Sequence, residues 1–251
     1  MLTASAIALL MAIVFVAFVT EAAVGFGATI LTVTLGAHLV PIKVLLPAFV
    51  PLNILLSLWI VALHHKDIDR DYLTRRILPS VAVGMIGGMG LYRIGSPEHL
   101  LLGFGVFVVL LSAGELYKVF RFKASSAPMA AWKSIGMLGA GGIVHGMFGS
   151  GGPLIVYVAG RQLHDKGKFR VTLATLWLIL NTVLVLHFLI AGDLTLTTLK
   201  TSMLLLPMLA LGIAVGDQAH KRLAQHVFRV VVWLVLLVAA VILVGRHMFA
   251  D

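Results

Sequence analysis

The amino-acid sequence predicts an all-α integral membrane protein made of two inverted-topology repeats, each a broken-helix hairpin followed by three transmembrane helices. Three observations lead to this prediction: an apolar composition, a series of long uncharged segments, and two glycine-rich breaks followed by matching residues. Of the 251 residues, 60 % are hydrophobic and 12 % are charged, and the mean hydropathy is +1.06. A soluble domain of this length could not bury so much apolar surface, so we expect a membrane protein.

Ten apolar segments follow one another along the chain, and few show the alternation of a membrane β-barrel. They are residues 5–20, 28–40, 44–63, 77–92, 98–117, 134–148, 152–160, 171–191, 198–216 and 227–245. A helix needs about 20 apolar residues to cross the hydrocarbon core. Four segments are too short to cross alone, namely 5–20, 28–40, 134–148 and 152–160. No basic residue precedes the first apolar run, so we expect this segment to be retained and not cleaved as a signal peptide.

The short segments lie on either side of two glycine-rich breaks. The first break is Gly25-Phe26-Gly27, and the second runs from Phe148 to Gly152 and is followed by Pro153. Glycine and proline disfavour the interior of a helix. We therefore expect each apolar pair to form two half-helices, joined by non-helical backbone at the break.

Residues after the two breaks match each other, which indicates an internal duplication. Phe26-Gly27 corresponds to Phe148-Gly149 at an offset of 122, and three further pairs match at an offset of 128: Asn53 with Asn181, Pro79 with Pro207, and Gly84 with Gly212. Weak symmetry of this kind is typical of transporters built from two repeats. We assign residues 1–120 to repeat 1 (hairpin 5–40) and 134–251 to repeat 2 (hairpin 134–160), with 121–133 as the linker.

The distribution of Lys and Arg predicts how the broken segments cross the membrane. If each broken pair made one crossing, the basic residues would divide 10 against 9 between the two faces. If each pair enters and returns on the same side, the division is 15 against 4, with only Lys43, Arg93, Lys200 and Arg246 on the poorer face. The positive-inside rule favours the second arrangement. Each repeat then crosses three times, so the repeats are inverted and both chain ends lie on the non-cytoplasmic face of a bacterial inner membrane.

Two hairpin tips that meet near the membrane midplane predict an anion site. The start of a half-helix exposes backbone N–H groups and carries a positive dipole end, and glycine lets a ligand approach closely. The candidate substrate-binding residues at the tips are Gly25, Phe26, Gly27, Ala28, Thr29, Phe148, Gly149, Ser150, Gly151 and Gly152. The alternative is that these glycines only allow close helix packing.

Four polar residues inside apolar segments are further candidates. Asn53 and Asn181 lie near the middle of repeat-equivalent segments, where a carboxamide could contact an oxyanion or tie down the hairpin backbone. Glu21 and His145 each lie four residues before a glycine of a break. They could carry a coupling proton, or they could form a buried polar pair that fixes the hairpins.

Other function classes find little support in the sequence. The chain has no cysteine, which excludes disulfides and thiolate metal sites, and it contains no P-loop, HExxH or GxSxG motif. The net charge of +9 comes from dispersed loop residues, which sets membrane topology and does not indicate nucleic-acid binding. We expect no metal and no cofactor. A weaker alternative is an intramembrane serine protease that pairs Ser150 with His145 or His187.

The two breaks resemble those of a known family. The stretches "VGFGATI" and "MFGSGGPLI", with the internal duplication, are similar to those of the TauE/SafE sulfite exporter family. In the first break, residues 28–31 stand where 150–153 stand in the second, and they include no glycine or proline. The resemblance implies a secondary permease for sulfite, sulfonates or other organosulfur anions. We expect alternating access around the midplane site, with a small anion, the bilayer and a coupling proton as partners; a passive anion channel is the alternative.

Overall fold

The helices of the protein form two series of five. The computed structural model describes residues 4–94, 97–121, 129–222 and 225–248, and regular secondary structure within these ranges is helical. The first series is α1 (Ala4–Val24), α2 (Ala28–Gly36), α3 (Ile42–His64), α4 (Arg70–Ile94) and α5 (Pro97–Arg121). The second is α6 (Ala131–Phe148), α7 (Gly152–Ala159), α8 (Lys166–Ala191), α9 (Leu196–Arg222) and α10 (Gln225–Met248). Residues 122–128 of the predicted linker and both chain ends lie outside the described residues.

Several helices are suited to a membrane. Among the described residues, five segments are long and apolar enough to cross one: Ala4–Val24, Ile42–Asp67, Arg70–Ile94, Lys166–Ala191 and Leu196–Arg222. Large apolar side chains such as Val83, Ile86, Ile190 and Met203 are about three-quarters or more exposed. Such exposure is unfavourable in water and is expected where lipid surrounds the protein. The chain is therefore a multi-pass membrane protein.

Helix α1 is longer than the sequence predicted. Its apolar segment, 5–20, is too short to cross a membrane, whereas the helix has 21 residues. It continues through Thr20 and Glu21 because both polar side chains find partners. The Thr20 hydroxyl donates to the carbonyl of Val16 at 2.8 Å, and the Glu21 carboxylate accepts hydrogen bonds beyond the break.

Each helix break begins with a glycine in the same backbone conformation, and the first break has a second glycine with positive φ, Gly27. Gly25 ends α1 with φ of 91°, and its N–H donates to the carbonyl of Glu21 at 2.7 Å. Gly149 ends α6 with φ of 63°, and its N–H donates to the carbonyl of His145, also at 2.7 Å. Glycine ends a helix in this left-handed conformation without strain. The caps therefore correspond at an offset of 124, not at the 122 that matching Phe26-Gly27 with Phe148-Gly149 suggests.

Each short helix folds back along the helix that precedes it. The N–H of Ala28, at the start of α2, donates to Glu21 of α1, and a Cβ added at Gly36, at the end of α2, would lie 3.5 Å from Leu10. Likewise, a Cβ at Gly141 of α6 would lie 2.8 Å from Ile155 of α7. Both pairs are thus antiparallel hairpins.

The two series interleave. Helix α1 packs on α9, and α6 packs on α4, so the first helix of each series contacts the fourth helix of the other. The contacts run in parallel and depend on glycine: Gly212 and Gly216 of α9 meet Phe18 and Ala22 of α1, and Gly84 of α4 meets Gly139 of α6. Helices α3 and α8 pack on each other at the centre, and α5 packs on α10.

Candidate functional site

A small cavity lies where the two hairpin tips meet between α3 and α8. The tips are in contact: a Cβ at Gly149 would lie 3.4 Å from the Thr29 methyl group, and one at Gly152 would lie 3.6 Å from the Phe26 ring. The cavity measures about 20 Å³, which is room for a water molecule. Its polar side chains are at most 5 % exposed, so they lie in the interior of the protein.

The cavity brings together most of the residues that the sequence singles out. Ten of the fourteen candidates line it: Glu21, Phe26, Gly27, Thr29, Asn53, His145, Gly149, Ser150, Gly152 and Asn181. The remaining four, Gly25, Ala28, Phe148 and Gly151, belong to the same tips but are not among the lining residues.

Two lining residues, Ile30 and Trp177, were not predicted. Trp177 lies four residues before Asn181 on α8, so the two share a helix face. That spacing was the signal in the sequence that Trp177 lines the site. It is weak, because apolar residues on a buried helix face occur in ordinary cores as well as in binding sites. Ile30 simply continues the first turn of α2 beyond the predicted Thr29.

Glu21 is held in a chain of hydrogen bonds that joins both repeats. Its Oε2 accepts from the backbone N–H of Ala28 at 3.0 Å and from Nδ2 of Asn53 at 3.2 Å. Asn53 Oδ1 in turn accepts from Nδ2 of Asn181 at 3.3 Å, and Ser57 donates to the same oxygen at 3.5 Å. In each of these hydrogen bonds to Glu21 the carboxylate oxygen is the acceptor. The N-terminus of α2 is therefore already occupied by a carboxylate of the protein.

The half of the cavity formed by the second tip has polar atoms without partners. The His145 imidazole stacks on Trp177, with ring centroids 5.5 Å apart and planes 13° apart, and the Asn181 amide lies beside it. Within the described residues, neither ring nitrogen of His145, nor Ser150 Oγ, nor Asn181 Oδ1 makes a hydrogen bond, and all four atoms are buried. Buried polar atoms in native proteins are nearly always satisfied, so a ligand or water is expected among these four.

Two predicted pairings are wrong. Glu21 and His145 do not bond to each other. Glu21 accepts from Ala28 and Asn53, and neither ring nitrogen of His145 makes a hydrogen bond among the described residues. Among the described residues, Ser150 Oγ makes no hydrogen bond to His145 or to any other group. His187 accepts from Nε of Arg93 at 3.4 Å. Ser150 is therefore not paired with a histidine base in the part of the chain that the structure describes.

Side chains of α8 and α9 hold the first tip by bonding to the end of α1. The Trp177 indole N–H donates to the carbonyl of Gly25 at 2.8 Å, and His220 Nδ1 lies 2.7 Å from the carbonyl of Ala23. Both carbonyls lie at the end of α1, where no intrahelical donor remains. The backbone and Cγ of Arg170 lie against Gly25, and its buried guanidinium pairs with Asp217 of α9.

Replacing Asp217 with asparagine is expected to lower the melting temperature clearly, because Arg170 would keep a buried charge without its counter-ion. Removing one partner of a buried ion pair costs on the order of 3–5 kcal/mol, and the partial exposure of Asp217 favours the lower end. Thermal melting of the purified protein measures the effect. The matched control is Asp71→Asn, which breaks the exposed Asp71–Arg75 pair and should leave the melting temperature unchanged. Equal melting of the two variants would contradict a structural role for the buried pair.

Comparison with known proteins identifies the family. Residues 10–243 match the family model described as sulfite exporter TauE/SafE. No curated protein and no solved structure matches the chain significantly. The match covers nearly the whole chain, including both hairpins and the cavity between them. The chain therefore belongs to the TauE/SafE sulfite exporter family.

Proposed function

We propose that the protein is a secondary transporter for small anions, with sulfite, sulfonates or other organosulfur anions as substrates. The anion binds in the cavity between the hairpin tips, and alternating access exposes this cavity to one side of the inner membrane at a time. Membership of a family of sulfite exporters supports the substrate class. The interior position of the cavity supports a membrane carrier.

The observation that carries the proposal is the set of unpartnered atoms at the second tip. His145, Ser150 and Asn181 place four buried polar atoms without partners around one cavity. The imidazole N–H and the hydroxyl are donors that suit an oxyanion, and the amide can present its NH₂ group if it turns over. No side chain caps the N-terminus of α7, so the helix dipole adds positive potential on the same side.

The two tips play different parts in this proposal. At the first tip Glu21 already accepts from Ala28 at the start of α2, so a deprotonated Glu21 repels a second anion. At the second tip there is no carboxylate among the lining residues. We therefore expect the anion to bind at α7, and to bind more tightly when Glu21 is protonated. Proton and anion would then move together.

Two further observations support inverted repeats. Swapping the two series turns the contact between α1 and α9 into the contact between α6 and α4. A pseudo-two-fold axis relating the series requires this correspondence. Asn53 and Asn181, the repeat-equivalent residues, bond to each other where such an axis would pass. With the charge count, this arrangement gives non-cytoplasmic chain ends and one tip entering from each side.

Aromatic packing beside the two tips favours a carrier over a passive channel. A pore requires a continuous polar path, whereas Phe26 packs on Trp233 with ring centroids 6.0 Å apart and Phe148 packs on Phe104 at 4.7 Å. These aromatic contacts lie beside the two tips. Because α1 and α6 are each held by the opposite series, rocking of one series against the other would open one side at a time.

Sulfite is expected to raise the melting temperature of the purified protein, and Asn181→Ala is expected to abolish this shift. A ligand at about 100 times its Kd stabilises the folded state by about 2.7 kcal/mol. Asn181→Ala removes the bond to Asn53 and one wall of the cavity. Sulfate, sulfonates, carboxylates and phosphate, tested alongside sulfite, define the substrate class.

The matched control for this experiment is Thr182→Ala. Thr182 is the next residue on α8, is exposed, and bonds only to the carbonyl of Leu178 in its own helix. This variant should keep the full ligand shift. A shift that survives Asn181→Ala would place the site elsewhere, and the absence of any shift with all these anions would argue against an anion carrier.

A further inference from the structure

A second cavity lies between the end of α5 and the start of α6, away from the hairpin tips. Its volume is about 580 Å³, and it shares no lining residue with the cavity at the tips. Its lining combines apolar, aromatic and charged side chains: Leu111, Glu115, Lys118, Met129, Trp132, Lys133, Gly136, Met137 and Tyr157. A cavity of this size accommodates an organic ligand with an apolar body.

Basic side chains lie around this cavity. Lys118 lies 4.2 Å above the centroid of the Tyr157 ring, and Arg161 donates to the Tyr157 hydroxyl at 2.8 Å. Lys133 lies 5.3 Å from the ring of Trp132. Glu115 is paired with Lys118 at 2.7 Å. Among the described residues, the lining contains two lysines and one carboxylate, and Arg161 lies beside it, so these groups together are net positive.

The position of the cavity indicates where its ligand comes from. Trp132 lies in the first turn of α6 and is 72 % exposed. Tryptophan is enriched at this position in membrane helices, where it anchors the helix at the membrane–water interface. Lys133 follows Trp132, and a lysine there extends its ammonium group toward the lipid headgroups. The charge count places this end of α5 and α6 on the cytoplasmic side, where the leaflet is anionic.

We propose that this cavity binds an anionic phospholipid. An acyl chain lies along Leu111, Met129 and Met137, and the phosphate lies at the mouth with Lys118 and Lys133. Lipids with a negative headgroup are bound by basic pockets between transmembrane helices in this way. Tyr157 belongs to α7, so the bound lipid contacts the hairpin whose tip forms the anion site. The proposal does not depend on what the protein transports.

The glycine at the wall of the cavity allows a sharp test. A Cβ at Gly136 would meet nothing within 4 Å, and the same is true of Gly87 on the outer face of α4. Gly136→Phe therefore places a large side chain at the cavity wall from a Cβ position that is open, and Gly87→Phe adds the same side chain elsewhere. Replacing glycine within a helix is otherwise favourable, so both variants are expected to fold.

Phosphatidylglycerol, added in detergent micelles to the purified full-length chain, is expected to raise the melting temperature more than phosphatidylcholine does. This difference should persist in Gly87→Phe and disappear in Gly136→Phe. The double variant Lys118→Gln/Lys133→Gln should respond equally to the two lipids. The proposal is overturned if Gly136→Phe keeps the difference, if phosphatidylcholine stabilises the wild type equally, or if glycerol phosphate alone reproduces the full shift.

Discussion

Replacing Glu21 with glutamine is expected to abolish proton-driven accumulation of the anion while leaving the fold intact. The carboxylate accepts from Ala28 and Asn53, and a glutamine Oε1 can accept the same two hydrogen bonds. What is lost is the negative charge at the start of α2. Since this charge and the anion share one small cavity, binding in the wild type requires a proton, whereas binding in the variant does not.

The expected pH dependence follows from the groups that face the cavity. In the wild type, anion affinity rises as pH falls, by up to about tenfold per pH unit where one proton is taken up with one anion. Asn53 and Asn181 do not titrate, and Arg170, Asp217 and His220 lie at the end of α1 below the tip. His145 is the other titratable group in the cavity, and its protonation acts in the same direction. Glu21→Gln should therefore bind more tightly at neutral pH, and its remaining pH dependence reflects His145 and the titration of the anion itself.

Two measurements separate binding from coupling. Anion-dependent melting across the mildly acidic to mildly alkaline range gives the affinity at each pH. Uptake into proteoliposomes with an imposed pH gradient gives the coupling. Asp71→Asn, which removes an exposed carboxylate far from the cavity, should behave as the wild type in both. Gradient-driven accumulation that persists in Glu21→Gln would show that the proton is carried elsewhere.

The helix breaks could be located from the sequence because glycine and proline act locally. The residues of the breaks alone require that α1 ends before Gly25 and that α7 starts before Pro153. Asn53 and Asn181 were also recognisable, because a polar residue in the middle of an apolar segment is costly and therefore needs a reason. In the structure these residues lie together around one cavity.

Features that depend on packing between distant helices could not be predicted. No pattern in the sequence shows that the Glu21 carboxylate turns toward Ala28, or that Trp177 stacks on His145. The sequence did not show which glycine of the first break ends α1. Gly25 and Gly27 both have positive φ, and it is Gly25 that ends the helix as Gly149 does. Each phenylalanine still packs on an aromatic ring of the opposite series.

Substituting alanine for Gly84 is expected to destabilise the protein severely, because this glycine brings two helix backbones into contact. A Cβ at Gly84 would lie 2.0 Å from the carbonyl oxygen of Gly139, and one at Gly142 would lie 2.2 Å from that of Val81. No rotamer change relieves a clash between a Cβ and a backbone atom, so α4 and α6 must separate. Overpacking of this kind costs about 1–3 kcal/mol or more, and small residues at such interfaces are what permits close helix association in a membrane.

The matched control is Gly87→Ala on the same helix. Its Cβ would meet nothing within 4 Å, so only the helix propensity changes, which favours alanine by about 0.5–1 kcal/mol. The yield of monodisperse protein and its melting temperature should therefore fall for Gly84→Ala and hold or rise for Gly87→Ala. Similar behaviour of the two variants would mean that α4 and α6 are not in backbone contact.

Gly212→Ala extends the comparison to the interface between α1 and α9. Gly212 is the repeat equivalent of Gly84, and its Cβ would lie 2.5 Å from the Cβ of Phe18 and 3.2 Å from the backbone. This contact is looser than that at Gly84, so we expect a smaller loss of stability. Both interfaces hold a broken helix against the opposite series. A graded result, with Gly84→Ala worse than Gly212→Ala and both worse than Gly87→Ala, would therefore indicate that the two tips are positioned by equivalent but unequally tight contacts. The tighter contact positions α6, which carries His145 and ends at the tip where we expect the anion to bind.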